Sequence, residues 1–170
     1  MKSFKLAVLG VALAAISHLA FAQAYPSKPI RIVVPFAAGS PTDALARVLA
    51  RSLSPRLKQP IVVDNKPGAT GIIGTDHVAK ADPDGYTLLF ATNTTQAANA
   101  ALFKKLPYDP LKDFSAISVV GGVPHALVVN PSLQVNSVPE LVQYAKANPG
   151  ALSYPYANST TRITAATFGV

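Results

Sequence analysis

No cysteine occurs anywhere in the 170-residue chain. A chain without disulfides is held by its apolar core, and it also lacks the lipidated cysteine that tethers an exported bacterial protein to a membrane. Long apolar runs are missing as well. Leu6 to Ile16 covers about 11 residues against the roughly 20 that a spanning helix needs, and no later stretch comes near that length. Carboxylates are too sparse and scattered, 8 in all, to suggest a metal cluster. Basic residues are spread out too, Lys104-Lys105 being the one adjacent pair. A nucleic-acid surface asks for a concentrated basic stripe interleaved with aromatics, so that class is excluded, while a mild general attraction for anions remains. Neither G-x-x-x-x-G-K-[ST] nor G-x-S-x-G is present, and there is no internal repeat or low-complexity tract.

What the chain does contain begins with an export signal. Lys2 and Lys5 form a charged start, Leu6 to Ile16 an apolar centre, and Ala20-Phe21-Ala22 a small-residue cleavage site. Residues 1–22 are therefore read as a signal peptide, cut after Ala22, and the mature chain as exported. Without Lys2 and Lys5, 13 basic residues remain against 8 acidic ones, a charge of +5 in place of +7. About 148 mature residues suit one ordinary domain. The helical pattern is still opening at Thr167-Phe168-Gly169-Val170, so the chain is expected to be either a small example of its type or a fragment.

The mature sequence alternates between strand and helix signals. Ile30 to Phe36 is a β-branched apolar run of the kind buried on both faces of a parallel sheet. Ser40-Pro41-Thr42-Asp43 starts a helix, with Ser40 as N-cap, Pro41 in the first turn and Asp43 placed to reach back as in a capping box. Leu45, Val48, Leu49, Leu53 and Leu57 supply its apolar stripe. A strand at Ile61 to Val63, a helix from about Gly71 to Ala81, the turn Asp82-Pro83-Asp84-Gly85 and a strand at Tyr86 to Ala91 complete a βαβαβ unit. Asn93 to Leu102 suits a short helix. Phe114 to Val123 and Ala126 to Asn130 read as strands flanked by the Gly121-Gly122 and Pro124 of a hinge, and Ser137-Val138-Pro139-Glu140 is a capping-box start for a helix to Asn148. Leu152 to Tyr156 reads as one more strand, followed by the polar loop Ala157 to Thr161.

Two loops carry the chemistry. Phe36 to Asp43 and Asn65 to Gly71 each connect a strand to a helix through small residues and glycine, which offers backbone N–H groups and a helix N-terminus to an anion. Asp43 is either a helix cap alone or also a group that orders water at the site. Ser40 lacks the context of a nucleophile, and His77 and His125 lack that of a base. Arg162 is open to two readings, a solvated helix residue or a partner for a ligand carboxylate.

Five motifs follow one another in order: Tyr25-Pro26-Ser27-Lys28-Pro29-Ile30-Arg31-Ile32-Val33-Val34-Pro35-Phe36, then Pro41-Thr42-Asp43, then Asp64-Asn65-Lys66-Pro67-Gly68-Ala69, then Ala81-Asp82-Pro83-Asp84-Gly85-Tyr86-Thr87-Leu88-Leu89, and Lys105-Leu106-Pro107-Tyr108-Asp109-Pro110-Leu111-Lys112-Asp113-Phe114. Together they resemble the Bug family, the periplasmic substrate-binding proteins of tripartite tricarboxylate transporters. The resemblance implies an α/β fold of the periplasmic binding protein type II kind, with lobe one over residues 23–122 and an incomplete lobe two starting in 123–170. It implies a monomeric receptor, not an enzyme, without cofactor or metal and without a membrane anchor. Such a receptor captures a small organic acid or amino acid carboxylate and passes it to membrane transporter subunits. The ligand-binding residues it implies are Phe36, Ala38, Gly39, Ser40, Thr42 and Asp43, then Ala69 and Thr70, then Asn93, and from lobe two Ser159 and Thr160. The chain departs from the family pattern at Gly39-Ser40, where a Gly-Gly pair is common, and at Tyr156 to Arg162, where glycines and a histidine are replaced. A truncated family member with little binding, and an exported hydrolase, stand as alternatives.

Overall fold

The computed structural model describes residues 25–168; the signal peptide expected over residues 1–22 lies outside them. The β-branched run forms strand β1, Ile30–Val34, and ends where Pro35 has no N–H to give to a ladder. Helix α1 covers Pro41–Leu57, strand β2 Ile61–Asn65, helix α2 Ile72–Ala79 and strand β3 Thr87–Leu89. The sheet is parallel in the order β2-β1-β3, with Ile30 opposite Ile61 and Val34 opposite Asn65 on one side of β1, and Arg31 opposite Thr87 on the other. This is the βαβαβ unit that the alternation in the sequence predicts.

Strand alternation divides the core between two faces. Ile32 and Val34 pack with Ala46 of α1, joined by Leu49, Ile61, Val63, Leu88, Phe36 and Phe90. Val33 is fully buried on the other side of β1, and α2 lies against β1 and β3. The buried positions of α1 are Asp43, Ala46 and Ala50, whereas Val48 is half exposed. The sequence stripe of large residues thus misses the helix face by part of a turn, because alanine lets α1 sit close to the sheet. The N-terminal arm is stapled to the entrance of β3: Tyr25 Oη donates to Gly85 O at 2.7 Å, Ser27 N–H donates to Tyr86 Oη at 2.8 Å, and Lys28 pairs with Asp84 at 2.9 Å.

After β3 the chain makes a π-helical turn, Thr94–Ala98, that runs into the short helix α3, Asn99–Leu102. Helix α4, Val138–Ala147, opens on Ser137, whose hydroxyl accepts from Glu140 N, and helix α5 covers Ser159–Phe168. The strands expected at Phe114 to Val123, Ala126 to Asn130 and Leu152 to Tyr156 are not formed among the described residues. Their apolar side chains are exposed, Val119 by 91% and Val128 by 82%. A strand exists by pairing, and none of these three pairs with another described segment.

Gly74 is the closest point between α2 and the sheet layer. A Cβ there would stand 2.7 Å from Lys66 O and 2.9 Å from Pro35 Cα, both backbone atoms that cannot swing aside. Gly74→Ala is therefore expected to lower stability by about 1–3 kcal/mol despite alanine's better helix propensity. A shift of the urea midpoint to lower concentration checks this, and an unchanged or raised midpoint would mean that α2 has room to move.

Candidate functional site

Parallel strands place every strand-to-helix loop at the same carboxyl edge of the sheet. The first of these loops is closed by its own polar groups. Ser40 N–H donates to Ala37 O at 3.2 Å, Asp43 N–H to Ser40 Oγ at 3.2 Å, and Gly39 N–H to Asp43 Oδ2 at 2.8 Å. Asp43 thus reaches back past the cap to Gly39, one residue further than an ordinary capping box. Gly39 has φ +82°, with open space where a Cβ would stand. Pro41 has no N–H, and Ala44 N–H is taken by Ser40 O. The amide left at the start of α1 is that of Thr42, which no helix carbonyl serves. Ala38 is exposed beside it.

Asp43 is buried, and three donors converge on it. Besides Gly39 N–H, Arg47 Nε donates to Oδ2 at 3.0 Å and Asn65 Nδ2 to Oδ1 at 2.9 Å. Asn65 also donates to Phe36 O at 3.1 Å and accepts from Arg47 at 3.0 Å, which closes a ring between α1, the first loop and the end of β2. The Arg47 guanidinium, followed by Gly39 N–H and the Asn65 amide, holds the Asp43 carboxyl at about 2, well below the usual aspartate value. Asp43 is thus a hub that ties the first loop, α1 and the end of β2 together.

The second loop has an uncommon backbone. Gly68, Ala69, Thr70 and Gly71 take φ values of +130°, +46°, +53° and +86° in succession. Two of these residues carry a Cβ, which costs energy in the left-handed region and marks sites held by their surroundings. Gly71 N–H donates to Gly68 O at 2.9 Å, and Ala69 O accepts both Ile72 N–H and the Thr70 hydroxyl, the latter at 2.7 Å. In a trans peptide the N–H points opposite to the C=O, so with Ala69 O turned towards Ile72 N–H the Thr70 N–H points away from the start of α2. The Phe36 ring lies beside Gly71, 3.5 Å from where its Cβ would be, which brings the two loops together.

A third group of residues meets behind the second loop. The fully buried Asn99 donates to Thr70 O at 3.2 Å, and its Oδ1 is 2.6 Å from Ser159 Oγ. Tyr108 Oη donates to Thr95 O at 2.7 Å beside it, and Thr94 Oγ1 lies 2.9 Å from Thr160 Oγ1. Ser159 and Thr160 are thereby brought to the same neighbourhood as Thr70, with Asn158 capping their helix through Thr161 N–H at 3.0 Å. Asn93 stands exposed at the start of the π turn. Thr92 Oγ1, at the end of β3, is buried with no partner among the described residues and is available to a ligand or water. Arg162 lies over the Tyr156 ring at 5.6 Å, and His77 and His125 are exposed. An open depression of about 480 Å3 runs elsewhere, along α1 and β2, lined by Arg47, Ala50, Arg51, Ser54, Ile61 and Val63.

Asn65 and Asn99 were not singled out in the sequence. Asn65 had a signal, as an amide at a strand end beside two glycine-bearing loops. Asn99 had a weaker one, as a lone asparagine among alanines.

The sequence pattern of the tripartite tricarboxylate transporter family receptor matches residues 45–168. The chain is 45% identical over 152 residues to protein BugT of Bordetella pertussis, a match that covers 88% of this chain and 47% of BugT. Among solved structures it is similar to Rpa4515 of R. palustris with adipate, at 39% identity and a TM-score of 0.74, covering 79% of this chain and 45% of that one. It is also similar to the periplasmic binding protein BugD, at 34% identity and a TM-score of 0.64, covering 86% and 50% respectively. The chain spans about half the length of the curated relatives it matches.

The lowered Asp43 carboxyl has a pH signature. Its folded value lies below its unfolded one, so its stabilising contribution is complete above the ordinary aspartate value of 3.8 and fades as pH falls towards about 2. Asp43→Asn sets an amide donor against donors already aimed at the carboxylate. Denaturation from pH 6 to pH 2 is expected to find the variant less stable at pH 6, with the gap narrowing through pH 4 to 2. A gap of constant size would show that the charge of Asp43 does not contribute.

Proposed function

We propose a function for a chain that belongs to the tripartite tricarboxylate transporter receptor family: capture of a small mono- or dicarboxylate at the carboxyl edge of its parallel sheet. In this reading residues 23–122 form most of lobe one and residues 123–170 begin lobe two. The protein is a periplasmic monomer that hands its ligand to membrane transporter subunits. Members of the family are receptors rather than enzymes, and here the Ser40 hydroxyl acts as a helix cap.

The observation that carries the reading is a pair of amides at one edge that no hydrogen bond among the described residues uses, Thr42 at the capped start of α1 and Thr70 in the left-handed turn. A carboxylate set there gains charge-assisted hydrogen bonds and the positive end of a 17-residue helix without a dedicated arginine. Adipate in the similar Rpa4515 structure supports a dicarboxylate as the first ligand to try. Ser159 and Thr160, beside Thr70 through Asn99 and Thr94, supply the lobe-two side of the grip.

Calorimetry with adipate tests this on the full chain. Gly39→Val forces a β-branched residue to φ +82° and disturbs the loop that presents Thr42, so affinity is expected to fall about tenfold or more. Lys66→Ala removes one half-buried charge beside the second loop, paired with Asp64 at 3.6 Å, and is expected to change affinity less than about fivefold. The reverse order would move the site away from the backbone amides.

A further inference from the structure

Asn99 belongs to none of the strand-end loops, yet its fully buried side chain joins Thr70 of the second loop, Tyr108 and Ser159 at the start of α5. Its orientation follows from its partners. Thr70 O can only accept, so the Asn99 NH2 must face it, and Oδ1 is then turned to Ser159. Ser159 must donate in turn, at 2.6 Å, because the amide oxygen has no hydrogen to give. Tyr108 Oη has given its hydrogen to Thr95 O, so it can receive only the remaining Asn99 hydrogen, at 3.5 Å. The Thr70 hydroxyl lies 2.7 Å from Ala69 O and 3.4 Å from Asn99 Oδ1, so its one hydrogen goes to the nearer carbonyl. A single chain of donors therefore runs from Ser159 on α5, through Asn99, to the carbonyl of a residue with φ +53°.

We infer that Asn99 is a positioning residue for the ligand loop: it locks the left-handed Ala69–Thr70 turn when Ser159 is docked and releases it when Ser159 withdraws. A left-handed non-glycine residue stays in place only while its surroundings hold it. Here the holding group lies 29 residues away in sequence, and the group that orients it lies a further 60 residues on. Docking of α5 and presentation of the Thr70 N–H become one event, so the second lobe controls the anion grip of the first before it touches any ligand. This rests on the carboxylate-binding reading for its biological use, but not for its test.

The test compares backbone amide spectra of the full chain, without ligand, for the native protein, Ser159→Ala and Thr160→Val. Ser159→Ala removes the hydroxyl that orients Asn99, whereas Thr160→Val removes only the hydroxyl contact with Thr94 and leaves the Ser159–Asn99 bond in place. The expected result is that Ser159→Ala moves the Ala69, Thr70 and Gly71 signals and speeds their hydrogen exchange, while Thr160→Val leaves them at their native positions. Equal effects of the two variants, or none from Ser159→Ala, would overturn the inference. Adipate titration of the native chain tests the carboxylate reading separately. If the native chain binds no adipate, the carboxylate reading fails while the amide comparison still decides the role of Asn99.

Discussion

The parallel pairing of β1 with both of its neighbours is the constraint from which the rest of the molecule follows. With Val34 opposite Asn65 and Val33 opposite Leu89, the three strands end within a residue or two of one another, and their loops must emerge together. A register shift by one residue would turn Ile32 and Val34 away from Ala46 and bring Arg31 into the core. Burial of these residues thus fixes the position of the loops, although none of them belongs to the candidate site.

Within that frame, two buried polar side chains shape the loops themselves. Asp43 gathers Gly39, Arg47 and Asn65 and closes the first loop around the start of α1. Asn99 gathers Thr70, Tyr108 and Ser159 and holds the second. Each is nearly fully satisfied, which is the condition for a buried polar group to order its surroundings rather than destabilise them. The consequence for chemistry lies in what is left over. Gly39 and Ser40 spend their amides within the network, whereas Thr42 and Thr70 are the ones that the proposed function offers to an anion.

The elements with strong local signals were legible in the sequence. Ser40-Pro41 and Ser137-Val138-Pro139-Glu140 cap helices as their residues require, and the β-branched runs form β1 and β2. Phe114 to Val123, Ala126 to Asn130 and Leu152 to Tyr156 have strand-like composition but remain unpaired, because composition describes a strand and not its partner. The same limit explains the site. Gly39 and Gly68 announced their loops through glycine's freedom, whereas the positive φ of Ala69 and Thr70 depends on a contact with Asn99 that only the folded chain brings about. Asp43 could be read as a cap from Ser40, but not as a hub, since Asn65 lies 22 residues away on another strand.

The most direct measurement of the central claim is an adipate titration followed through the backbone amides of the native chain. Binding through the strand-end loops predicts that the Thr42 and Thr70 amides move first and furthest, in proportion to a single binding curve, with Gly39 following through Asp43. Shifts that concentrate along Arg47, Arg51 and Ser54, with the Thr42 and Thr70 signals unmoved, would place the anion in the depression beside β2 and contradict it.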